Sequence, residues 1–107
     1  MHYSYQSEKF SQARCALMLP HTQGEEASIA EAFYECSLAL DQFDKASLAS
    51  TAADWVSKLE LLMSTDGVTA KADEGLYHAK AQTFTTDQKI EISRLIDELA
   101  HWFAASE

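Results

Sequence analysis

The chain contains few of the residues that interrupt helices or build covalent frameworks. Among its 107 residues there are only three glycines, one proline and two cysteines. So few glycines could not build most phosphate-binding or nucleophile loops, and the sequence has neither a Gly-x-Ser-x-Gly nor a Cys-x-x-Cys motif. Cys15 and Cys36 alone do not form a disulfide framework. These absences argue against the common motif-based enzyme classes and favour an ordinary globular chain.

Positively charged residues are also scarce. Eight Lys and Arg residues stand against 17 Asp and Glu residues, which gives a formal net charge of -9. The bases occur singly, whereas a phosphate backbone or an anionic membrane surface is bound by clustered cations. We therefore expect neither a nucleic-acid nor a membrane partner. The longest apolar run, residues 15–19, is too short for a signal-peptide core or a membrane span, so we expect a cytoplasmic protein.

Hydrophobic residues recur at helical spacing in four segments of a single domain, residues 1–107. No segment alternates apolar and polar residues as a strand would. The sequence therefore predicts an all-α fold, a four-helix up-down bundle joined mostly by short connections. Between residues 65 and 84 the spacing fails, and only residues 76–82 of this irregular segment are expected to form a short helix. The four predicted helices cover about 7–18, 23–44, 47–65 and 86–107.

Two stretches have the spacing of a capping box, in which a Thr side chain and a Glu or Gln side chain three residues later bind each other's free backbone amides. They are Thr22 with Glu25 and Thr85 with Gln88. Each pair lies at the start of a predicted helix. Gly67 follows the third predicted helix and is expected to end it in a left-handed conformation.

The apolar stripe of each predicted helix identifies the core. In the second helix, five apolar residues follow one another at spacings of 4, 3, 4 and 3, which is typical of a helix that packs along a partner helix. Cys36 belongs to this stripe and is interpreted as a small core residue, whereas Cys15 lies off the stripe of its own helix. The predicted core includes Phe33, Leu40, Trp55, Leu59, Leu99 and Phe103.

The second predicted helix carries charge of only one sign. Residues 25–44 include six acids and no Lys or Arg. At 100° per residue, Tyr34 and Leu38 fall roughly 140° and 180° from the centre of the apolar stripe, and Leu61 and Ile90 are similarly misplaced on their own helices. Such residues need a cover, which could be residues 66–84 or a second copy of the chain. The predicted partner-binding residues are Glu31, Tyr34, Glu35, Leu38 and Asp41.

The sharpest candidate for chemistry is the pair Glu98 and His101, because Glu-x-x-His supplies ligands in di-iron helical bundles. His101 lies roughly 160° from the apolar face of its helix and Asp97 roughly 155° away, so both are expected to face solvent. The sequence contains no second Glu-x-x-His. We assign no catalytic, cofactor-binding or metal-binding residue and interpret His101 as a surface histidine.

Two functional hypotheses from different classes follow. The first is a small acidic helical protein-interaction module, without enzymatic activity, that forms a homodimer and binds a protein partner of basic character. The second is a helical bundle that binds a small molecule or a metal and could be an enzyme, with Glu98, His101 and either Glu31 or Glu35 in its site. The segregated charge, the misplaced apolar residues and the missing catalytic motifs favour the first.

Overall fold

The computed structural model describes residues 3–18, 20–21, 23–70 and 75–105. In these ranges the chain forms helices and no strand, and no helix is long and apolar enough to cross a membrane. A 3-10 helix, Lys45–Ser47, lies between the second and third α-helices. The predicted all-α class is therefore confirmed. The α-helices are α1 (Ser4–Ala16), α2 (Glu25–Leu40), α3 (Ser50–Met63), α4 (Leu76–Gln82) and α5 (Thr86–Ala105).

The helix boundaries differ from the predicted ones by a few residues. The largest difference is in α2, which ends at Leu40 and not near residue 44. The chain leaves the helix there because Asp41 is extended and Gln42 has a φ of 56°, in the left-handed region. The 3-10 helix then begins with the side chain of Asp44 accepting a hydrogen bond from the backbone N–H of Ala46 at 3.1 Å. This short helix delays the start of α3.

The two predicted capping boxes have different outcomes. At the start of α5, the Thr85 N–H donates to Gln88 Oε1 at 2.8 Å and the Gln88 N–H donates to Thr85 Oγ1 at 3.2 Å, so this box is confirmed. At the start of α2, Gly24 is the N-cap residue with a φ of 97°, a conformation that glycine adopts without strain, and the box of Thr22 and Glu25 stays a prediction. Thr22 itself lies outside the described residues.

Gly67 has the predicted left-handed conformation, but it is not the residue that ends α3. Its φ is 78°, but α3 already ends at Met63 with Ser64 as its C-cap. Gly67 instead lies in a turn closed by a hydrogen bond of 3.0 Å from the Val68 N–H to the Thr65 carbonyl. The left-handed residue therefore reverses the chain after the helix has ended.

The helices pack as a row of neighbours. α1 lies between α2 and α5, while α3 packs on α5 and α4 packs on α2. α1 and α2 are antiparallel, since Gln6 Nε2 donates to the Ala39 carbonyl at 3.3 Å and Lys9 lies beside Glu35. Within the described ranges α2 and α3 form no extensive contact, although a closed up-down ring would make them neighbours. The four-helix bundle therefore stays a prediction.

The core is continuous and apolar. Phe33, Leu59 and Phe103 are fully buried in it, as predicted. Leu40 and Trp55, predicted to lie inside, are only half-buried at its edge. Leu40 is half-buried because it lines a cleft between α2 and α3. The prediction that it is buried assumed that these two helices pack closely together. The largest fully buried side chains are Phe10, Phe33, Cys36, Val56, Leu59, Ile92, Leu95, Ile96, Leu99 and Phe103.

Aromatic rings join the start of α1 to the end of α5. The Phe103 ring lies 5.2 Å from the Phe10 ring and 5.1 Å from the Tyr3 ring, measured between centroids. Trp102 and Phe43 complete the group, with centroids 5.0 and 5.9 Å from that of Phe103. Phe43 reaches this aromatic cluster through the turn after α2, so its burial does not require the helix to continue.

Candidate protein-binding surface

The solvent side of α2 carries most of the predicted partner-binding residues. Glu31, Tyr34 and Asp41 are exposed and Leu38 is half-buried. Their spacings of 3, 4 and 3 place them on one side of the helix. We call these four residues the α2 face. Tyr34 is 52% exposed, which leaves a large aromatic ring available at the centre of the α2 face.

Glu35, also predicted to bind a partner, lies toward α1. Its Oε1 atom is buried and 3.8 Å from Lys9 Nζ, and within the described residues this oxygen accepts no hydrogen bond. Lys9 Nζ in turn lies 5.5 Å from the centroid of the Tyr5 ring. Glu35 is thus already engaged by α1, and we leave it out of the α2 face.

The α2 face lies in an acidic stretch of the chain. Residues 25–44 contain six acids and no base, and the last turn of α2 has no basic residue either. The carbonyl groups at the C-terminus of a helix carry a partial negative charge, which a Lys or Arg in the last turn would normally offset. Asp41 adds its own negative charge at this position. A cation supplied from outside would be favoured here.

Two clefts open on either side of Asp41, which lines both. The α2–α3 cleft has a volume of about 370 Å³ and an apolar floor that includes Leu40, Met63 and Tyr77. At its rim Glu60 Oε2 binds Lys45 Nζ at 2.9 Å. The acidic side of this cleft is therefore partly neutralised by the chain itself.

The second cleft, which we call the aromatic cleft, lies where α1 begins and α2 ends. Its volume is about 460 Å³, and its walls include the rings of Tyr3 and Phe43, 5.9 Å apart between centroids at an angle of 64°. Asp41 and Asp44 are its charged residues, and no base lines it among the residues that the structure describes. The sequence analysis missed this site because Phe43 was assigned to a helix. The one sequence feature that pointed to this site was the series of acidic residues that continues to residue 44. The lining residues are Tyr3, Gln6, Asp41, Gln42, Phe43, Asp44 and Ser47.

Ser11, Asp97 and His101 line a common cleft of about 290 Å³ between α1 and α5. A serine, a histidine and an aspartate together raise the question of a catalytic triad, which requires hydrogen bonds from nucleophile to base and from base to acid. Asp97 Oδ1 instead accepts from Arg14 Nε at 2.5 Å, and within the described residues no hydrogen bond joins His101 to Ser11 or Asp97. His101 is exposed, on the side that the sequence predicted.

The two cysteines lie in opposite environments. Cys36 is fully buried in α2, Cys15 is exposed in α1, and both thiols are free. Burial raises the pKa of the Cys36 thiol, so this group stays protonated at neutral pH. The interpretation of Cys36 as a core residue is confirmed.

Metal-binding residues do not cluster in the part of the chain that the structure describes. No group of three or more His, Cys, Asp or Glu side chains there is arranged to hold a metal ion. Glu98 is half-buried and His101 exposed on α5, without a third ligand beside them. The described residues therefore provide no set of ligands for the metal-binding protein of the second hypothesis.

Comparison with protein-family models, with curated protein sequences and with solved structures finds no significant match to this chain. The function is therefore inferred from the chain's own residues and their arrangement. Among the described surfaces, the α2 face combines an exposed aromatic ring, a second apolar side chain and charge of one sign.

Proposed function

We propose that this chain is a protein-interaction module that binds a basic amphipathic helix on the α2 face. The observation that carries the proposal is the 52% exposure of Tyr34 in a stretch of the chain where every charge is negative. An exposed tyrosine with a leucine at the next turn fits the apolar side of a helix, in the mode by which amphipathic helices bind to complementary surfaces.

The two kinds of residue on the α2 face have different roles. Aromatic residues such as Tyr34 provide much of the affinity of protein interfaces, because a rigid ring buries a large area at a small cost in conformational entropy. Glu31 and Asp41 lie on either side of Tyr34 along the helix and are exposed, so they contribute more to attraction at long range than to affinity. With a net charge of -9, the whole chain attracts cationic partners and repels anionic ones.

A designed peptide tests the proposal. The probe has about 18 residues, with leucines at helical spacing and lysines elsewhere, and the control peptide has the same composition in scrambled order. We expect the amphipathic peptide to bind more tightly in fluorescence anisotropy. Combining Tyr34→Ala with Leu38→Ala should weaken its binding about tenfold.

Leu61→Ala is the matched control, because Leu61 is an exposed leucine of α3, 76% accessible, that does not belong to the α2 face. It should leave the affinity unchanged, and circular dichroism should show that all variants fold. Equal binding of the two peptides, or full affinity in the double variant, would contradict the proposal, because binding would then depend on charge alone.

Self-association through the α2 face is the second candidate, and it is favoured by the same exposed apolar side chains. A symmetric dimer would bury Tyr34 and Leu38 of both copies. It would also bring Glu31 and Asp41 toward acids of the second copy, with no base in residues 25–44 to compensate. We therefore rank the basic partner first. Sedimentation equilibrium at micromolar concentrations separates the two, since a dimer that Leu38→Glu dissociates would support self-association.

A further inference from the structure

We infer that the aromatic cleft binds the guanidinium group of an arginine side chain on the helix that occupies the α2 face. The inference rests on the proposed function, and it names the partner's anchoring residue. It starts from the composition of the cleft, in which two aromatic rings and two carboxylates lie together and no described residue of the lining is a base.

The size of the cleft suits one side chain with its stem. Its volume of about 460 Å³ lies within the range of roughly 300–1,000 Å³ that is typical of small-ligand sites. The rings of Tyr3 and Phe43 supply an apolar wall, and the amide of Gln6 is fixed by its donation to the Ala39 carbonyl at 3.3 Å. A flat, partly apolar group therefore has surface to pack against.

The charges in the aromatic cleft select a cation. Asp41 and Asp44 are both exposed, and Asp44 uses its side chain to accept from the Ala46 N–H while keeping its negative charge. The carbonyl end of α2 adds to the negative potential at Asp41. In the α2–α3 cleft Lys45 neutralises Glu60, whereas the described lining of the aromatic cleft contains no base. Of the two clefts, the aromatic cleft therefore has two carboxylates and no lysine to offset them in its described lining.

Arginine fits these features better than lysine does. Its guanidinium is planar, stacks on aromatic rings and offers donors in a fixed fork that can bind carboxylates, whereas an ammonium group is a strongly hydrated point charge. Arginine also forms cation-π contacts with aromatic rings more often than lysine does, and Tyr3 and Phe43 provide such rings. The cleft thus distinguishes two bases that the overall negative charge attracts equally.

The aromatic cleft and the α2 face are continuous because Asp41 belongs to both. A helix seated over Tyr34 and Leu38 has one end near Asp41, where a long arginine side chain would enter the cleft. One partner could therefore bury its apolar side on α2 and place one cation at the end of α2. This arrangement gives the bound helix a direction and a register.

The test uses N-acetylarginine amide as the probe, titrated into ¹⁵N-labelled protein and followed by nuclear magnetic resonance. We expect the backbone amide signals of Gln6, Gln42 and Phe43 to shift with one common dissociation constant. N-acetylcitrulline amide, which has a similar shape without the charge, should bind about tenfold more weakly, and N-acetyl-lysine amide should also bind more weakly. Equal binding of the citrulline or lysine probe would overturn the inference, as would shifts confined to other residues.

A matched pair of variants separates the cleft from general electrostatics. Combining Asp41→Asn with Asp44→Asn removes two charges from the cleft, and asparagine at position 44 can still cap the 3-10 helix. This variant should lose about tenfold in affinity for the arginine probe. Asp54→Asn with Asp66→Asn removes the same charge from exposed positions outside the cleft and should change the affinity little. An equal loss in both double variants would overturn the inference.

The failure of this inference is distinguishable from that of the proposed function. If the amphipathic peptide binds the α2 face but the arginine probe shifts nothing in the cleft, the arginine site is wrong and the interaction module stands. If the arginine probe binds as expected but the peptide does not prefer the α2 face, the proposed function fails, and with it the assignment of the arginine to a bound helix.

Discussion

At one end of the group formed by α1, α2 and α5, five aromatic rings pack together, with the buried Phe103 at their centre. At the other end, where α1 ends and α2 and α5 begin, the contacts are between polar side chains near the surface. Lys89 Nζ binds Glu25 Oε1 at 2.6 Å, and His21 Nδ1 lies 2.9 Å from Ser28 Oγ. The first end gains stability from burial, whereas exposed pairs at the second are worth little individually. The two ends therefore depend on different interactions, one on buried rings and the other on exposed polar pairs.

The largest effect should come from removing the centre of the aromatic end. Phe103 is fully buried, so Phe103→Ala deletes a ring that four others contact and leaves a cavity. We expect a loss of about 3–5 kcal/mol in the free energy of unfolding, measured by urea denaturation. Leu61→Ala, at a 76% exposed position, is the control and should change it by less than about 0.5 kcal/mol. A loss below about 1 kcal/mol for Phe103→Ala would remove the contrast between the two ends.

An intermediate loss of stability is expected at the polar end when the capping box of α5 is broken. Thr85→Ala removes the Oγ1 atom that accepts from the Gln88 N–H, so one backbone donor of the first turn loses its partner. We expect a loss of about 1 kcal/mol in the free energy of unfolding. Thr86→Ala alters the next residue, whose side chain is exposed, and should cost clearly less. If the two variants are equally stable, the cap does not hold this end.

Features that depend on a single helix were easier to predict from the sequence than features formed by several elements. The box of Thr85 and Gln88 is local, because its two residues are three apart and their types alone specify the contact. The exposure of His101 also follows from its angle on one helix. Features of this kind depend on a single helix and its period, so the sequence determines them without knowledge of packing.

The aromatic cleft could not be predicted because it depends on two helices and a turn. The hydrophobic spacing of α2 continues through Phe43, so the pattern alone does not distinguish a helical Phe43 from one brought to the core by a turn. The left-handed Gln42 causes that turn, and glutamine carries no strong signal for it. Tyr3 then joins Phe43 only because α1 and α2 are antiparallel in this register.

Glu35 shows the same limit on the α2 face. It lies roughly 120° from the centre of the apolar stripe, a direction from which a side chain reaches either solvent or a neighbouring helix. The position of Lys9 on α1 decides between these, and it draws the carboxylate inward. Tyr34 and Leu38 lie farther from the stripe, so their angle alone was enough to predict that they are on the solvent side of α2.

The smallest effect, and the one that best defines the polar end, concerns the pair of Glu25 and Lys89. The hydrogen bond from Lys89, followed by its charge, lowers the pKa of Glu25 below its ordinary value of 4.5, and the same hydrogen bond raises the pKa of Lys89 above 10.5. Lys89→Met should return the Glu25 pKa toward its ordinary value, as a nuclear magnetic resonance titration of the carboxyl group would show. Lys58→Met, which removes a lysine paired with Asp54 on α3, is the control and should leave the Glu25 pKa unchanged.

The sign of the pH dependence follows from these two shifts. A carboxyl group whose pKa is lowered on folding stabilises the fold above its unfolded pKa, and this contribution is lost as the pH falls through the folded pKa. A lysine whose pKa is raised contributes below its unfolded pKa, and its contribution is lost as the pH rises through the folded pKa. The stability difference between the parent chain and Lys89→Met should therefore be greatest between the two ordinary values, 4.5 and 10.5, and should shrink in acid and in strong alkali. Because both side chains are partly exposed, about 1 M salt should also reduce the difference. A difference that persisted unchanged in acid and in salt would mean that the ion pair of Glu25 and Lys89 is not the cause of the stability difference.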